Sequence, residues 1–239
     1  MKTVMFLMLL LTSNSILYSQ ESFSDQLLLD SIFEPKLTGE AFTAKVGMIG
    51  SQFFNDEWAE SDILLTTGEK VSNKLLKYNG YLDEVVWLTP EFFKQVKIDK
   101  FAIDEFVFKN YFGKSIRFKR INIKRMFTSD STDIFAEVVI ESNLSLYIFR
   151  KIGIEGTVTK DSKGGNYSFD QLEAVPVYYL KLKNKGFATL QRLNRRALLH
   201  LFPEQKTAIR KLLRQNHQRL KTESNLIEVI NLLNKSIFN

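Results

Sequence analysis

Between residues 41 and 190 the chain leaves no room for a crossover helix. Short apolar or alternating stretches succeed one another there, separated by turn residues at Gly50, 67–69, Asn79 and Gly80, 89–91, 110–114 and 142–143. Two parallel strands need a connection of about a dozen residues or more, usually a helix. The expected fold is therefore α+β and β-rich: a curved antiparallel β-meander, as a half-open barrel or a sandwich, with a C-terminal helical unit.

The stretch that anchors this reading is 77–88, KYNGYLDEVVWL. Asn79 and Gly80 are residues that tolerate φ > 0 at a hairpin turn, and Val85, Val86, Trp87 and Leu88 suit the outgoing strand. Trp87 is expected in the core. Asp83 and Glu84 stand where the chain leaves the turn. Further strands are expected at 41–49, 62–66, 92–98, 101–108, 115–126, 133–142, 144–152, 156–160, 174–183 and 186–190. Within 115–126, Ile116 and Phe118 have the opposite parity to Ile121 and Ile123. A bulge near Arg120 would return them to one buried face, leaving Arg117, Lys119, Arg120, Lys124 and Arg125 toward water.

At Gln191 the period becomes helical. Asn194 suits an N-cap for a short helix with Ala197, Leu198 and Leu201 on one side, and Pro203 suits the first turn of the next. That second helix carries Ile209, Leu212 and Leu213 as a stripe, with Lys206, Arg210, Lys211 and Arg214 outside it. Thr222 caps a third, with Leu226, Ile227, Val229, Ile230, Leu232 and Leu233 on its apolar side. Helices this short are marginal alone in water and are expected to dock on the sheet. The domains expected are thus 1–19 as a signal peptide, 20–190 as the β domain and 191–239 as a basic helical subdomain.

Charge follows the same division. Residues 191–239 hold ten Lys/Arg against three Asp/Glu, a balance of +7. The rest of the chain, Lys2 aside, holds 22 against 24. Arg195, Arg196, Lys206, Arg210, Lys211 and Arg214 are accordingly the candidate partner-binding residues, with Arg192, Arg219 and Lys221 near them. The competing reading is a solvated helix face.

Residues 1–19 combine one charge at Lys2, an apolar run at 4–11 and a polar stretch, which is the layout of a cleaved signal peptide. The run is too short to span a bilayer, and no transmembrane segment is expected. The chain has no cysteine, hence no lipoprotein acylation site and no disulfide framework. Periplasmic or secreted localisation follows, and export argues against nucleic acid as a partner.

No catalytic signature stands out. Asp56, Glu57, Glu60 and Asp62 crowd one loop and Asp83 and Glu84 another, but neighbouring carboxylates are usually turn residues in water, and no Ca²⁺-loop spacing accompanies them. His200 and His217 are the only histidines, and each reads as a helix or turn residue. No P-loop, Gly-x-Ser-x-Gly or His-x-x-x-His pattern is present. No catalytic residue, metal or cofactor is assigned.

The loop at 50–58, the Tyr78–Asn79 turn with Asp83 and Glu84 after it, and the tail from Leu198 to Pro203 and 221–234 together resemble a broad family of uncharacterised exported proteins from Gram-negative bacteria of the Bacteroidota type. The resemblance implies an envelope setting and brings no site residues with it. The leading expectation is a non-enzymatic envelope protein that binds a partner protein, accessory to outer-membrane assembly or secretion. The alternative is a periplasmic carrier of a lipid or other apolar ligand in the sheet concavity. An enzyme acting on glycan or peptide is the third reading.

Overall fold

The computed structural model describes residues 37–124, 131–162, 165–183 and 185–238. The expected signal peptide, the linker after it, and Arg125 and Met126 lie outside the described residues. The strands are β1 (Gly39–Ala41), β2 (Met48–Ile49), β3 (Ala59–Leu65), β4 (Lys70–Asn79), β5 (Glu84–Leu88), β6 (Gln95–Ile98), β7 (Ile103–Tyr111), β8 (Lys114–Lys124), β9 (Ser131–Ile140), β10 (Leu144–Phe149), β11 (Ile152–Ser162), β12 (Gly165–Ala174), β13 (Val177–Leu182) and β14 (Phe187–Leu190). The helices are α1 (Arg195–Leu201), α2 (Lys206–Gln215) and α3 (Glu223–Ser236).

Eleven strands form one open antiparallel sheet in the order β1-β6-β5-β4-β3-β7-β8-β9-β10-β13-β14. β11, β12 and β2 form a second, smaller sheet, in which β2 pairs with β12 in parallel. The meander is thus departed from three times: β1 pairs with β6, β7 returns to β3, and the β11–β12 hairpin is an excursion between β10 and its partner β13.

Register explains the core. Ile63, Phe106 and Phe118 lie directly across from one another on β3, β7 and β8, so all three point to one face. There Phe106 stacks on Phe118 with ring centroids 4.8 Å apart, and Tyr78, Phe108 and Phe135 complete a fully buried aromatic cluster. On β10, Leu144, Leu146 and Ile148 meet α1–α3 through Leu198, Ile209, Leu213, Leu226, Ile230 and Leu233. Tyr147, between them, packs on the opposite face with Ile121, Ile134 and Tyr179. β10 is buried on both sides, which is why its sequence, LSLYIF, is apolar without strict alternation.

The same two-sided burial corrects the expected bulge at Arg120. β8 pairs with β9 without a break from Phe118↔Glu137 to Lys124↔Ser131. Phe118 belongs to the aromatic cluster and Ile121 and Ile123 to the opposite face. The change of parity is a change of face.

Other expectations also shift. The strand expected at 41–49 is two short pieces, parted by irregular backbone with Gly47 at φ +77°. Phe92 and Phe93 are not in a strand: both are exposed, in left-handed backbone at φ +60° and +49°, in the loop before β6. Trp87 is only partly buried, while Val85 and Val86 beside it are fully so. β12 occupies a stretch, between the strands expected at 156–160 and 174–183, for which no strand is expected. In the hairpin turn the residue with positive φ is Asp83, at +58°. Asn79 instead accepts the N–H groups of Tyr81 and Leu82 on its side-chain oxygen. Gly80 is required for another reason: a Cβ there would lie 2.4 Å from the carbonyl oxygen of Arg150.

That turn fastens the sheet to itself. Asp83 is buried, and its Oδ1 accepts from the Tyr78 hydroxyl (2.6 Å) and the Phe135 N–H (3.2 Å), while Lys100 donates to Oδ2. Burial pushes the Asp83 carboxyl up, against the pull of Lys100, Tyr78 and the Phe135 amide.

Candidate functional site

The helical unit begins where β14 ends. Asn194 caps α1, its side chain accepting from the Ala197 N–H at 2.8 Å, as its type and position predict. α1 buries Leu198 and Leu199, and α2 buries Ile209 and Leu213. With the apolar stripes committed to the core, the intervening positions are left outside. On α2 these are Lys206, Arg210, Lys211 and Arg214, all exposed.

Between α1, its preceding turn and the start of α2 lies a cavity of about 850 Å³. Arg192, Arg195, Arg196, Lys206 and Arg210 line it, together with Gln191, Asn194 and His200, and among the described residues no carboxylate does. Lys206 and Arg210 are one helical turn apart and reach it from the same side of α2. Of the six candidate residues, the structure brings four into this wall: Arg195, Arg196, Lys206 and Arg210. Lys211 and Arg214 are exposed elsewhere on α2 and do not line it. Arg192 and His200 complete the wall; the charge pattern pointed to Arg192, while nothing in the Leu-Leu-His-Leu-Phe context marked His200.

Arg195 is tied down, donating from its guanidinium to the Gln218 carbonyl. Arg192, Arg196, Lys206 and Arg210 make no ion pair or side-chain hydrogen bond among the described residues. Among the described residues, the one ion pair that crosses into this unit goes the other way. Glu223, at the start of α3, holds Arg150 of the sheet through two hydrogen bonds of 2.7 and 2.8 Å, and Glu137 holds the same guanidinium. Burial pulls the Arg150 pKa down, but the two carboxylates outweigh it and the net shift is upward. α3 is itself capped by Thr222, whose side chain accepts from the Asn225 N–H.

The two carboxylate clusters serve the fold. Asp62 bonds Lys109 (2.6 Å) and Lys70 (2.8 Å), Asp56 accepts from Ser51, and Asp83 is the buried fastening described above. Among the described residues no group of three or more His, Asp or Glu is placed to hold a metal, and no helix is long and apolar enough to cross a membrane. No family model, no curated protein and no solved structure matches the chain.

Proposed function

We propose that the protein is an exported, non-enzymatic protein of the cell envelope that binds a partner protein through the basic face of its C-terminal helical unit, in a role accessory to outer-membrane assembly or secretion. The observation that carries this reading is the concentration on α1 and α2 of cations with no acidic partner among the described residues, on a molecule whose other charges are close to balance. Such a field raises association rates with an acidic partner and fades with salt over a Debye length of about 8 Å at physiological ionic strength. A carrier of an apolar ligand would need an open apolar hollow in the sheet. Phe106, Phe108, Phe118 and Phe135 fill that face, which favours partner binding over the carrier.

The test is capture from envelope extracts with the mature protein and with a Lys211→Gln/Arg214→Gln variant, which leaves the cavity wall intact. The variant is expected to lose its partner most clearly at low salt while melting no lower than the parent. Equal capture by both proteins at every salt concentration would return this face to a solvated surface.

A further inference from the structure

We infer that the cavity between α1 and α2 is a binding site for a multiply phosphorylated ligand, distinct from the outward surface of Lys211 and Arg214. Three observations converge on it. First, five cations face one open cavity, and among the described residues no carboxylate lines it. Elsewhere Arg117, Lys109 and Arg150 each have two acidic partners. Second, four of the five are arginines, whose planar forks bind oxyanions through paired hydrogen bonds. Three of those, Arg192, Arg196 and Arg210, have their donors uncommitted among the described residues. Third, the volume of about 850 Å³ lies within the range of pockets that enclose small molecules, about 300–1,000 Å³.

Charge density selects phosphate over carboxylate. A phosphomonoester brings about −1.5 to −2 and three acceptor oxygens in one compact group, so two or three phosphoryl groups balance the wall. A carboxylate ligand would need about as many acidic groups as there are cations, spread along a chain, to do the same. Arg195 has a positioning role: its bond to the Gln218 carbonyl ties α1 to the segment after α2 and so fixes the distance across the cavity. The phosphoryl groups can reach the site free in solution or on a lipid headgroup, since the chemistry at the wall is the same.

Calorimetric titration of the full mature protein with inorganic tripolyphosphate tests this. One binding site per chain is expected, with affinity reduced at least about tenfold in Arg196→Gln/Arg210→Gln. A Lys114→Gln/Lys124→Gln variant, equal in net charge but altered only on the sheet, should bind as the parent does. Each variant is first checked for a cooperative melting transition no lower than the parent's, and Lys206→Gln stands in if the double variant does not fold. Absence of binding, equal losses in both double variants, or hexaglutamate binding as tightly as tripolyphosphate would overturn the assignment. Vesicles of phosphatidylcholine with and without phosphatidylinositol bisphosphate then decide the source: selective binding to the bisphosphate vesicles assigns a lipid headgroup, and binding of tripolyphosphate alone assigns a free ligand. Loss of partner capture in Lys211→Gln/Arg214→Gln is read separately, so either proposal can fail without the other.

Discussion

On the sheet, Arg117 reaches Glu105 and Glu141, Lys97 reaches Glu40 and Glu84, and Lys70 and Lys109 share Asp62. On α1 and α2, Arg196, Lys206, Arg210, Lys211 and Arg214 have no acidic partner among the described residues. The first arrangement neutralises charge across strands, where opposed residues are close enough to bond. The second leaves like charges on neighbouring turns of a helix, where they repel. Folding alone gives no reason for the second. A protein that retains it holds a surface with electrostatic energy in reserve, which an anionic ligand or partner would release.

The sharpest way to probe the paired side is Arg150, where sheet and helical unit meet. Arg150→Met keeps the volume of the side chain but leaves Glu137 and Glu223 facing each other half-buried. Removing one partner of a buried ion pair typically costs about 3–5 kcal/mol, and the partial exposure here lowers the expected loss to about 2–4 kcal/mol. Urea denaturation at neutral pH measures it. A loss below about 0.5 kcal/mol, the scale of an ordinary surface change, would mean that Arg150 does not join the two regions.

What could be read in advance follows the same line between local and distant causes. The caps Asn194 and Thr222 were legible because an N-cap depends on its own residue and the next three. The basic tail was legible because its charges are contiguous in sequence. The cavity was not, since it depends on how α1 and α2 are set against each other after their apolar stripes dock. Nor was pairing: Arg117 looks as exposed in sequence as Arg210, and only strand register brings Glu105 and Glu141 to it. Phe92 and Phe93 misled because apolar residues in a row suggest a strand, whereas the loop turns both outward. Trp87 misled for the related reason that a large aromatic in a strand need not sit on the fully buried face.

Acid should weaken the paired side at a defined point. Burial raises the Asp62 pKa, but hydrogen bonds from Lys109, Lys70 and the Asn73 N–H outweigh it and hold the carboxyl at about 2, against 3.8 unperturbed. The depressed folded value means that Asp62 stabilises the fold above the unfolded pKa, and that this contribution is lost as pH falls through about 2. Its size, discounted for solvent screening, is about 1–2 kcal/mol. Asp62→Asn should therefore be less stable than the parent at pH 6 and should lose less stability between pH 5 and pH 2. Parallel stability profiles for the two proteins would show that Asp62 is not held by its lysines in solution.

The smallest effect is the most informative about the unpaired side, because its sign is opposite. Arg210 has Lys206 four residues before it and Arg214 four residues after, so one helix face carries two like-charge contacts. Such pairs destabilise a helix by about 0.2–0.5 kcal/mol each, and Gln has nearly the helix propensity of Arg. Arg210→Gln should thus stabilise the protein by about 0.5 kcal/mol at low salt. Added salt should erase the gain, because screening relieves the same repulsion in the parent. Urea denaturation at two ionic strengths decides the matter. If Arg210→Gln instead destabilises, Arg210 is held by a partner within the fold, the tail resembles the sheet after all, and the cavity loses the uncompensated charge on which its assignment as an anion site depends.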